Sequence, residues 1–242
     1  MRGKLAWVTA LGAAFLIVLV AATPANAAVI WNGDAGLGRD VLGGTGGDGN
    51  CGTGSITAVD EPGHGLVWRF HKPARSNRCE VHGIRVGGSM YKFQENATYY
   101  LGWSSRLTST VNNNAVFQWK SYGRHRVNFP VWLKMVDGRL TLFQRQLGPR
   151  ESRIWSTPVR ENTWNHIVLG IHTSNADRGG WVELYFNGVQ QTFTDGTRRY
   201  ACRTWDAPGY NDPKWGIYGA RGKDISNFVD DLKIGTTYAD VR

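Results

Sequence analysis

The sequence predicts an all-β fold, a jelly roll in which two antiparallel sheets pack face to face. Many short segments alternate apolar and polar residues with a period of two, whereas no long segment shows the helical period. Asp137-Gly138 and Asn187-Gly188 each lie between two apolar runs, which is the strongest short hairpin signal. Strands at such short spacing are typical of a sandwich or jelly roll.

The alternating segments predict ten strands within one domain that covers residues 28–242. These strands are 66–71, 80–86, 98–107, 116–122, 131–136, 140–145, 166–173, 181–186, 214–218 and 227–234. The glycine-rich stretches 43–54 and 87–88 predict loops. The sequence shows no internal repeat and no linker, so a single domain is the simplest interpretation.

Residues 1–27 predict a secretory signal peptide. Arg2 and Lys4 give a positive start, an apolar run follows at 11–22, and Ala-Asn-Ala at 25–27 places small residues before a cut. The apolar run is short for a membrane span. We therefore expect cleavage after Ala27, a secreted extracellular protein, and no membrane attachment after that cleavage.

The charge of the chain favours a polyanionic partner. The formal net charge is +9, and removal of the two basic residues before residue 28 leaves +7. A basic secreted protein attracts polyanions. The basic residues are dispersed rather than arranged in a run, which argues against nucleic acid. We expect a monomer that binds an acidic polysaccharide.

Three cysteines are present, and export permits a disulfide bond. Cys51 and Cys79 lie in the same N-terminal third of the chain, so we predict that they are bonded and that Cys202 is free. No Cys-x-x-Cys or histidine-rich spacing accompanies these residues, which argues against a metal site built on cysteine.

The carboxylates argue against a glycoside hydrolase, although this class stays an alternative. Glycoside hydrolysis needs two carboxylates across the scissile bond. A strand of a jelly roll supplies them as Glu-x-Asp-x-Glu or Glu-x-x-x-Glu, and neither pattern occurs. Glu183 stands alone on its strand.

Three predicted strands instead carry rows of hydrogen-bond donors on one face, because residues two apart share a face. The rows are Arg78, Glu80 and His82; Gln118, Lys120 and Tyr122; and Lys214, Gly216 and Tyr218. Gly216 is expected to leave a gap into which a sugar ring approaches. Several of the eleven tryptophans, Trp132 among them, are expected to stack against sugars on the concave sheet.

Such rows suit the β-elimination that cleaves a uronate chain. The proton at C5 is removable only when donors neutralise the neighbouring carboxylate, as in an oxyanion hole. A base then removes the proton and an acid protonates the leaving O4. Tyrosine and histidine are suited to these two roles.

Specific motifs resemble known lyases. Phe117-Gln118-Trp119-Lys120-Ser121, followed by residues 128–133, resembles the central strands of glucuronan lyases, polysaccharide lyase family 20. Arg78-x-Glu80-x-His82 is similar to a strand of heparin lyase I and of alginate lyases. Lys214-x-Gly216-x-Tyr218 resembles the strand of heparin lyase I that carries its catalytic tyrosine.

This resemblance implies a lectin-like jelly roll and assigns the catalytic roles. Gln118 would neutralise the carboxylate, and His82 would assist it or act as the base. Tyr218 would act as the acid, or as both base and acid. A second tyrosine would assist, with Tyr200 and Tyr210 both open.

The resemblance also implies substrate-binding residues. Lys214 and Arg78 would bind the acidic chain, and Lys120, Tyr122 and Trp132 complete the predicted binding set. Alginate lyases of this fold place a histidine two residues after the glutamine. Lys120 occupies that position here, which weakens alginate as the substrate.

The chemistry requires no cofactor, but the fold often binds a structural Ca²⁺. By position, Asp230 and Asp34 would be its ligands, together with backbone oxygens. We therefore expect a polysaccharide lyase that acts on a glucuronan-like uronate polymer. A non-catalytic carbohydrate-binding lectin of the same fold stays the main alternative.

Overall fold

The computed structural model describes residues 28–44, 50–124, 126–148 and 150–242, so the predicted signal peptide lies outside the described residues. Strands and three short 3₁₀ helices make up the regular structure of these ranges. The strands are β1 (Val29–Asn32), β2 (Leu42–Gly44), β3 (Ser55–Glu61), β4 (Gly65–Lys72), β5 (Arg78–Val86), β6 (Ser89–Met90), β7 (Thr98–Leu107), β8 (Asn114–Gly123), β9 (Val131–Val136), β10 (Arg139–Arg145), β11 (Glu151–Pro158), β12 (Trp164–His172), β13 (Gly180–Phe186), β14 (Val189–Gln190), β15 (Tyr200–Cys202), β16 (Gly209–Gly219) and β17 (Ile225–Gly235). The 3₁₀ helices are Ala35–Leu37, Arg39–Val41 and Tyr238–Asp240.

Two antiparallel sheets form the jelly roll, which confirms the predicted fold class. Sheet I has the strand order β14-β13-β12-β7-β17-β4-β3, with β1 beside β17 and β15 beside β13. Sheet II has the order β11-β10-β9-β8-β16-β5-β2, with β6 beside β5. Strands β8, β16 and β5 are therefore the central neighbours of sheet II.

Large apolar side chains fill the space between the sheets. Trp103 and Trp215 are fully buried, and their rings meet edge to face with centroids 6.3 Å apart. Phe117 stacks on Trp103 at 5.0 Å from the side of sheet II. Since alternate residues of each strand face this layer, their neighbours in sheet II point outward to the opposite face.

Both predicted hairpin turns are present. Asp137 and Gly138 have φ of 51° and 69°, and they join β9 to β10. Asn187 and Gly188 have φ of 50° and 79°, and they join β13 to β14. Two successive positive φ values match the twist of a two-residue hairpin, and asparagine, aspartate and glycine tolerate them best.

All ten predicted strands are present, and the strands that prediction missed lack clean alternation or are short. The prediction began one strand at Lys214, whereas β16 begins at Gly209. Pro213 lies inside β16 opposite Trp119, and a proline normally argues against a central strand. Gly43 and Gly44, predicted as loop, belong to the short strand β2 beside β5.

The disulfide prediction is confirmed. Cys51 and Cys79 are bonded, and Cys202 is free and buried. The bond joins the segment before β3 to the beginning of β5, the strand that carries one of the three polar rows. Across the described ranges, no helix has the length and apolar character that crossing a membrane requires.

Candidate active site

The three predicted polar rows lie side by side on the outer face of sheet II, which we call the polar face. Lys214 of β16 pairs with His82 of β5 on one side and with Gln118 of β8 on the other. Gln118 in turn pairs with Trp132 of β9. A single cross-strand row therefore carries an indole, an amide, an ammonium and an imidazole.

Glu80 is the centre of this face. Its carboxylate accepts a hydrogen bond of 2.5 Å from Nε2 of Gln118 and one of 2.9 Å from Nζ of Lys214. Glu80 is 1% exposed, Gln118 3% and Lys214 3%. Burial raises the pKa of Glu80, and the charges of Lys214 and Arg78 together with the Gln118 amide oppose that rise. Glu80 thus holds Gln118 and Lys214 in fixed positions.

The expected gap above Gly216 does not exist, which corrects one argument from the sequence. A Cβ at Gly216 would lie 2.2 Å from the carbonyl oxygen of Cys79 and 2.7 Å from Cα of Glu80. Gly216 also has φ of 138°. This glycine allows β5 to approach β16 closely, so the strand backbone, rather than a sugar ring, occupies the space.

Tyr218 lies at one end of the polar face, which we call the Tyr218 end. The guanidinium carbon of Arg78, its pair on β5, lies 4.4 Å from the centre of the phenol ring. Lys214, four residues earlier on the same strand face, binds Glu80 through its ammonium. Arg78 is therefore the cation next to Tyr218.

A bulge and a cavity shape the Tyr218 end. Between Trp215 and Tyr218 the register against β8 shifts, so two residues of β16 oppose one residue of β8. Tyr218 packs beside an aromatic cluster of sheet II, and the cavity there measures about 280 Å³. Its lining residues are Asn77, Asn113, Trp132, Lys134, Tyr218, Gly219 and Arg221.

His82 lies at the opposite end, which we call the His82 end. Nδ1 of His82 is 3.8 Å from Oδ2 of Asp212, too long for a hydrogen bond but within reach of an ion pair. The imidazole fills the space above Gly44, where a Cβ would lie 2.0 Å from Nε2. Tyr122 packs at 5.7 Å from the imidazole and stacks on Tyr210 at 5.0 Å.

Lys120 lies opposite Asp212, beyond the row of Lys214 and His82 as seen from Tyr218, towards the loop after β8. Its Nζ donates to the backbone oxygen of Ser121 at 2.6 Å and to Oδ1 of Asn128. The same Nζ lies 4.8 Å from the ring centre of Tyr122. Burial, with the charges of Lys214 and Arg78, lowers the pKa of Lys120 to about 8.

The predicted catalytic residues share the polar face, but they are spread along it. His82 pairs with Lys214 and Tyr218 with Arg78, so the backbones of His82 and Tyr218 are four strand positions apart, roughly 13 Å. Gln118 lies across Lys214 from His82, two strand spacings or roughly 10 Å away. Of the two candidate tyrosines, Tyr210 lies on this face, whereas Tyr200 belongs to β15 of sheet I.

Two residues of this face were not predicted as site residues. The sequence shows Glu80 only as one member of a polar row, and such a row is typical of a solvated strand face. The burial of Glu80 depends on its register with Gly216. Asp212 is 1% exposed and lines the His82 end. The two-residue spacing from Lys214 back to Asp212 was the available signal, but Pro213 concealed that the strand continues.

The predicted calcium ligands already hold other partners. Oδ2 of Asp230 lies 2.8 Å from Nδ1 of His64, and Oδ1 accepts from the backbone of Asp231. Oδ1 of Asp34 accepts from the backbone of Gly36. Within the described part of the chain, no group of three His, Cys, Asp or Glu side chains is arranged to hold a metal. These residues do not fit a calcium site by side chains alone.

Comparison with known proteins identifies the family of the chain. A model of a family described as polysaccharide lyase matches residues 53–240, which contain all three polar rows. No curated protein sequence matches the chain. The solved structure of alginate lyase AlgAT5, from polysaccharide lyase family 7, is similar with a TM-score of 0.52 and 12% identity, covering 75% of this chain and 82% of that one. Alginate lyase A1-II' is similar with a TM-score of 0.51 and 11% identity, covering 71% and 80%. At such identities the structural likeness shows the fold alone.

Proposed function

From the premise that this chain belongs to the polysaccharide lyase family, we propose that it cleaves a uronate-containing, glucuronan-like polysaccharide by β-elimination at the Tyr218 end of the polar face. The enzyme class follows from the family; the acidic substrate and the residues that act on it are the proposal.

One observation carries the proposal: a phenol lies against a guanidinium at this end, and the buried amide of Gln118 lies beside Trp132, which lines the cavity there. Arg78 lies against the ring of Tyr218, and Gln118 is fixed by Glu80 beside Trp132. The lining of the cavity there includes two cations, Lys134 and Arg221, and no carboxylate. Lys134 is paired with Glu151, so an anionic sugar would bind chiefly through Arg221 and the neighbouring Arg78.

The mechanism needs the carboxylate of the cleaved uronate to be neutralised first. The second hydrogen of the Gln118 amide, with the nearby positive charge of Arg78, would bind this carboxylate. Negative charge that develops when the C5–H bond breaks can then spread onto it. Because Glu80 is buried and fixes the amide, the donor needs no reorganisation during the reaction.

Tyr218 would carry both proton transfers. Acting as the base, its phenolate oxygen takes the proton from C5. The C4–O4 bond breaks, a double bond forms between C4 and C5, and the phenol returns the proton to the leaving O4. A single residue can carry both proton transfers only if C5 and O4 both face it. A tyrosine at the edge of a cavity meets this condition.

His82 would bind the chain rather than act on C5. Its backbone lies four strand positions from that of Tyr218, and its imidazole lies beside Asp212 and Tyr122, whereas the amide of Gln118 reaches Glu80. From that position the imidazole would contact a neighbouring sugar unit. Of the two roles that the resemblance left open for Tyr218, we therefore favour the tyrosine as both base and acid.

Secretion belongs to the same proposal. A lyase of a polymeric substrate meets that polymer outside the cell, and residues 1–27 carry the signal-peptide pattern described above. N-terminal sequencing of protein recovered from the culture medium should give Ala28 as the first residue. Exported protein that still begins at Met1 would contradict cleavage.

The proposed activity is tested by incubating the protein with a panel of polysaccharides. The unsaturated uronate product absorbs in the ultraviolet, so its appearance reports β-elimination directly. We expect product from polyglucuronate and none from neutral glucans such as laminarin. Reducing ends released without an ultraviolet signal would indicate hydrolysis and would contradict the proposal.

A further inference from the structure

A second and larger cavity lies at the His82 end of the polar face, with a volume of about 950 Å³. Its walls are mainly apolar and aromatic. They include Met90, Tyr91, Phe93, Trp205, Pro208 and Tyr210. Tyr210 is 46% exposed and already stacks on Tyr122, so it offers a free ring edge at the mouth of the cavity. Aromatic walls of this kind suit the apolar faces of sugar rings.

One buried polar group in the lining of this cavity, the Asp212 carboxylate, is a hydrogen-bond acceptor. Asp212 lines the cavity, its side chain is 2% exposed, and within the described residues its Oδ1 has no hydrogen-bond partner. A buried carboxylate oxygen without a donor is costly, so this atom is suited to a donor supplied by a ligand. Sugar hydroxyls are such donors, whereas a uronate carboxylate is not.

The two cavities also differ in the charges of their lining residues. The lining of the larger cavity contains two carboxylates, Asp212 and Glu95, and two cations, Arg85 and Lys92. The smaller cavity at Tyr218 has Lys134 and Arg221 and no carboxylate in its lining. One cavity therefore favours an anion and the other an uncharged group.

We propose that the cavity at the His82 end is a subsite for an uncharged sugar unit, with Asp212 accepting hydrogen bonds from its hydroxyls. This inference rests on the proposed lyase activity and narrows its substrate. The preferred polymer carries uncharged units beside the uronate that is cleaved, rather than uronate alone.

The test compares polyglucuronate with the same polymer after part of its carboxyl groups has been reduced to hydroxymethyl groups. We expect kcat/KM per remaining uronate to rise about tenfold on partial reduction, because repulsion by Asp212 is relieved. Mass spectrometry should find an uncharged unit at one fixed position relative to the unsaturated end. Equal or lower kcat/KM with random positions would overturn the subsite. No unsaturated product from either polymer would instead overturn the lyase proposal.

Asp212→Asn assigns the preference to this residue. The variant should cleave the unreduced polymer faster and the partly reduced polymer more slowly, so that the preference falls to about twofold. Asp60→Asn, an exposed carboxylate on β3 of sheet I, is the matched control and should keep the full preference. An unchanged preference in Asp212→Asn would contradict the assignment.

Tyr210→Ala keeps the inference testable if Asp212→Asn fails to fold. Because Tyr210 is 46% exposed, its removal should lower the thermal unfolding temperature only slightly. It should raise KM several-fold for the partly reduced polymer, since a stacking contact with the sugar is lost. An unchanged KM would show that sugars do not enter this cavity.

Discussion

The two ends of the polar face are built from the same three strands but offer opposite surroundings. At the Tyr218 end a guanidinium lies on a phenol, and the adjoining cavity is lined by cations. At the His82 end an imidazole faces a buried carboxylate, and the adjoining cavity is aromatic and balanced in charge. Glu80 and Lys214, fully enclosed between them, separate the two. In the proposed mechanism, one end carries out proton transfer on a uronate and the other holds the chain.

The largest expected effect comes from removing the proton carrier at the Tyr218 end. Tyr218→Phe keeps the ring and its contact with Arg78 but lacks the hydroxyl, so kcat should fall by about a thousandfold or more. Thermal unfolding and polymer binding should be unchanged. Tyr238→Phe, on a tyrosine that stacks on Tyr185 of sheet I, is the matched control and should keep full activity. Full activity in Tyr218→Phe would refute the mechanism.

Next in size is the effect of breaking the buried pair that separates the two ends. Glu80→Gln leaves the ammonium of Lys214 buried without its counter-charge, which should lower the free energy of unfolding by about 3 kcal/mol. Chemical denaturation measures this loss. The double variant Glu80→Gln, Lys214→Met removes the stranded charge and should recover much of it. Stability of Glu80→Gln equal to the parent would show that the pair does not hold the face together.

A smaller effect is expected at the His82 end. His82→Asn should raise KM about tenfold, because a contact to the chain is lost, and should leave kcat within about threefold. Steady-state kinetics on polyglucuronate separate the two constants. A fall in kcat as large as that of Tyr218→Phe would make His82 the base and would merge the two ends into one catalytic centre.

The smallest effect concerns pH. Lys120 has a pKa lowered to about 8, so its ammonium is present below that pH and is lost as the pH rises through it. Affinity for a polyanion should therefore weaken, with KM rising several-fold between about pH 7 and pH 9. Lys120→Arg keeps its charge across this range and should flatten the change. A rise of the same size in Lys120→Arg would assign the pH dependence to another group.

The sequence predicted the strands and their faces better than it predicted distances between side chains. Period-two alternation identifies which residues share a face, and Gln118, Tyr218 and His82 do share one. Their spacing depends on register and bulges, which are set by pairing between strands far apart in the sequence. The shift beside Gly216 and the burial of Glu80 both arise in this way.

Residues that break a local rule were the hardest to predict. Pro213 interrupts the pattern of β16, so the predicted strand 214–218 excludes Asp212, although Asp212 is buried in the sheet. A lone acid in a polar row such as Glu80 is usually solvated, and only the close approach of β5 to Gly216 encloses it. In both places tertiary packing overrides the local preference of the residue.

The most direct measurement is a crystal structure of Tyr218→Phe with a bound uronate oligosaccharide. The account predicts that one uronate lies at the Tyr218 end, with its carboxylate on the amide of Gln118 and with C5 and O4 facing residue 218. It also predicts that the chain continues past His82 into the larger cavity. A uronate whose carboxylate lies at His82 and Asp212, with residue 218 out of reach of C5, would contradict the account.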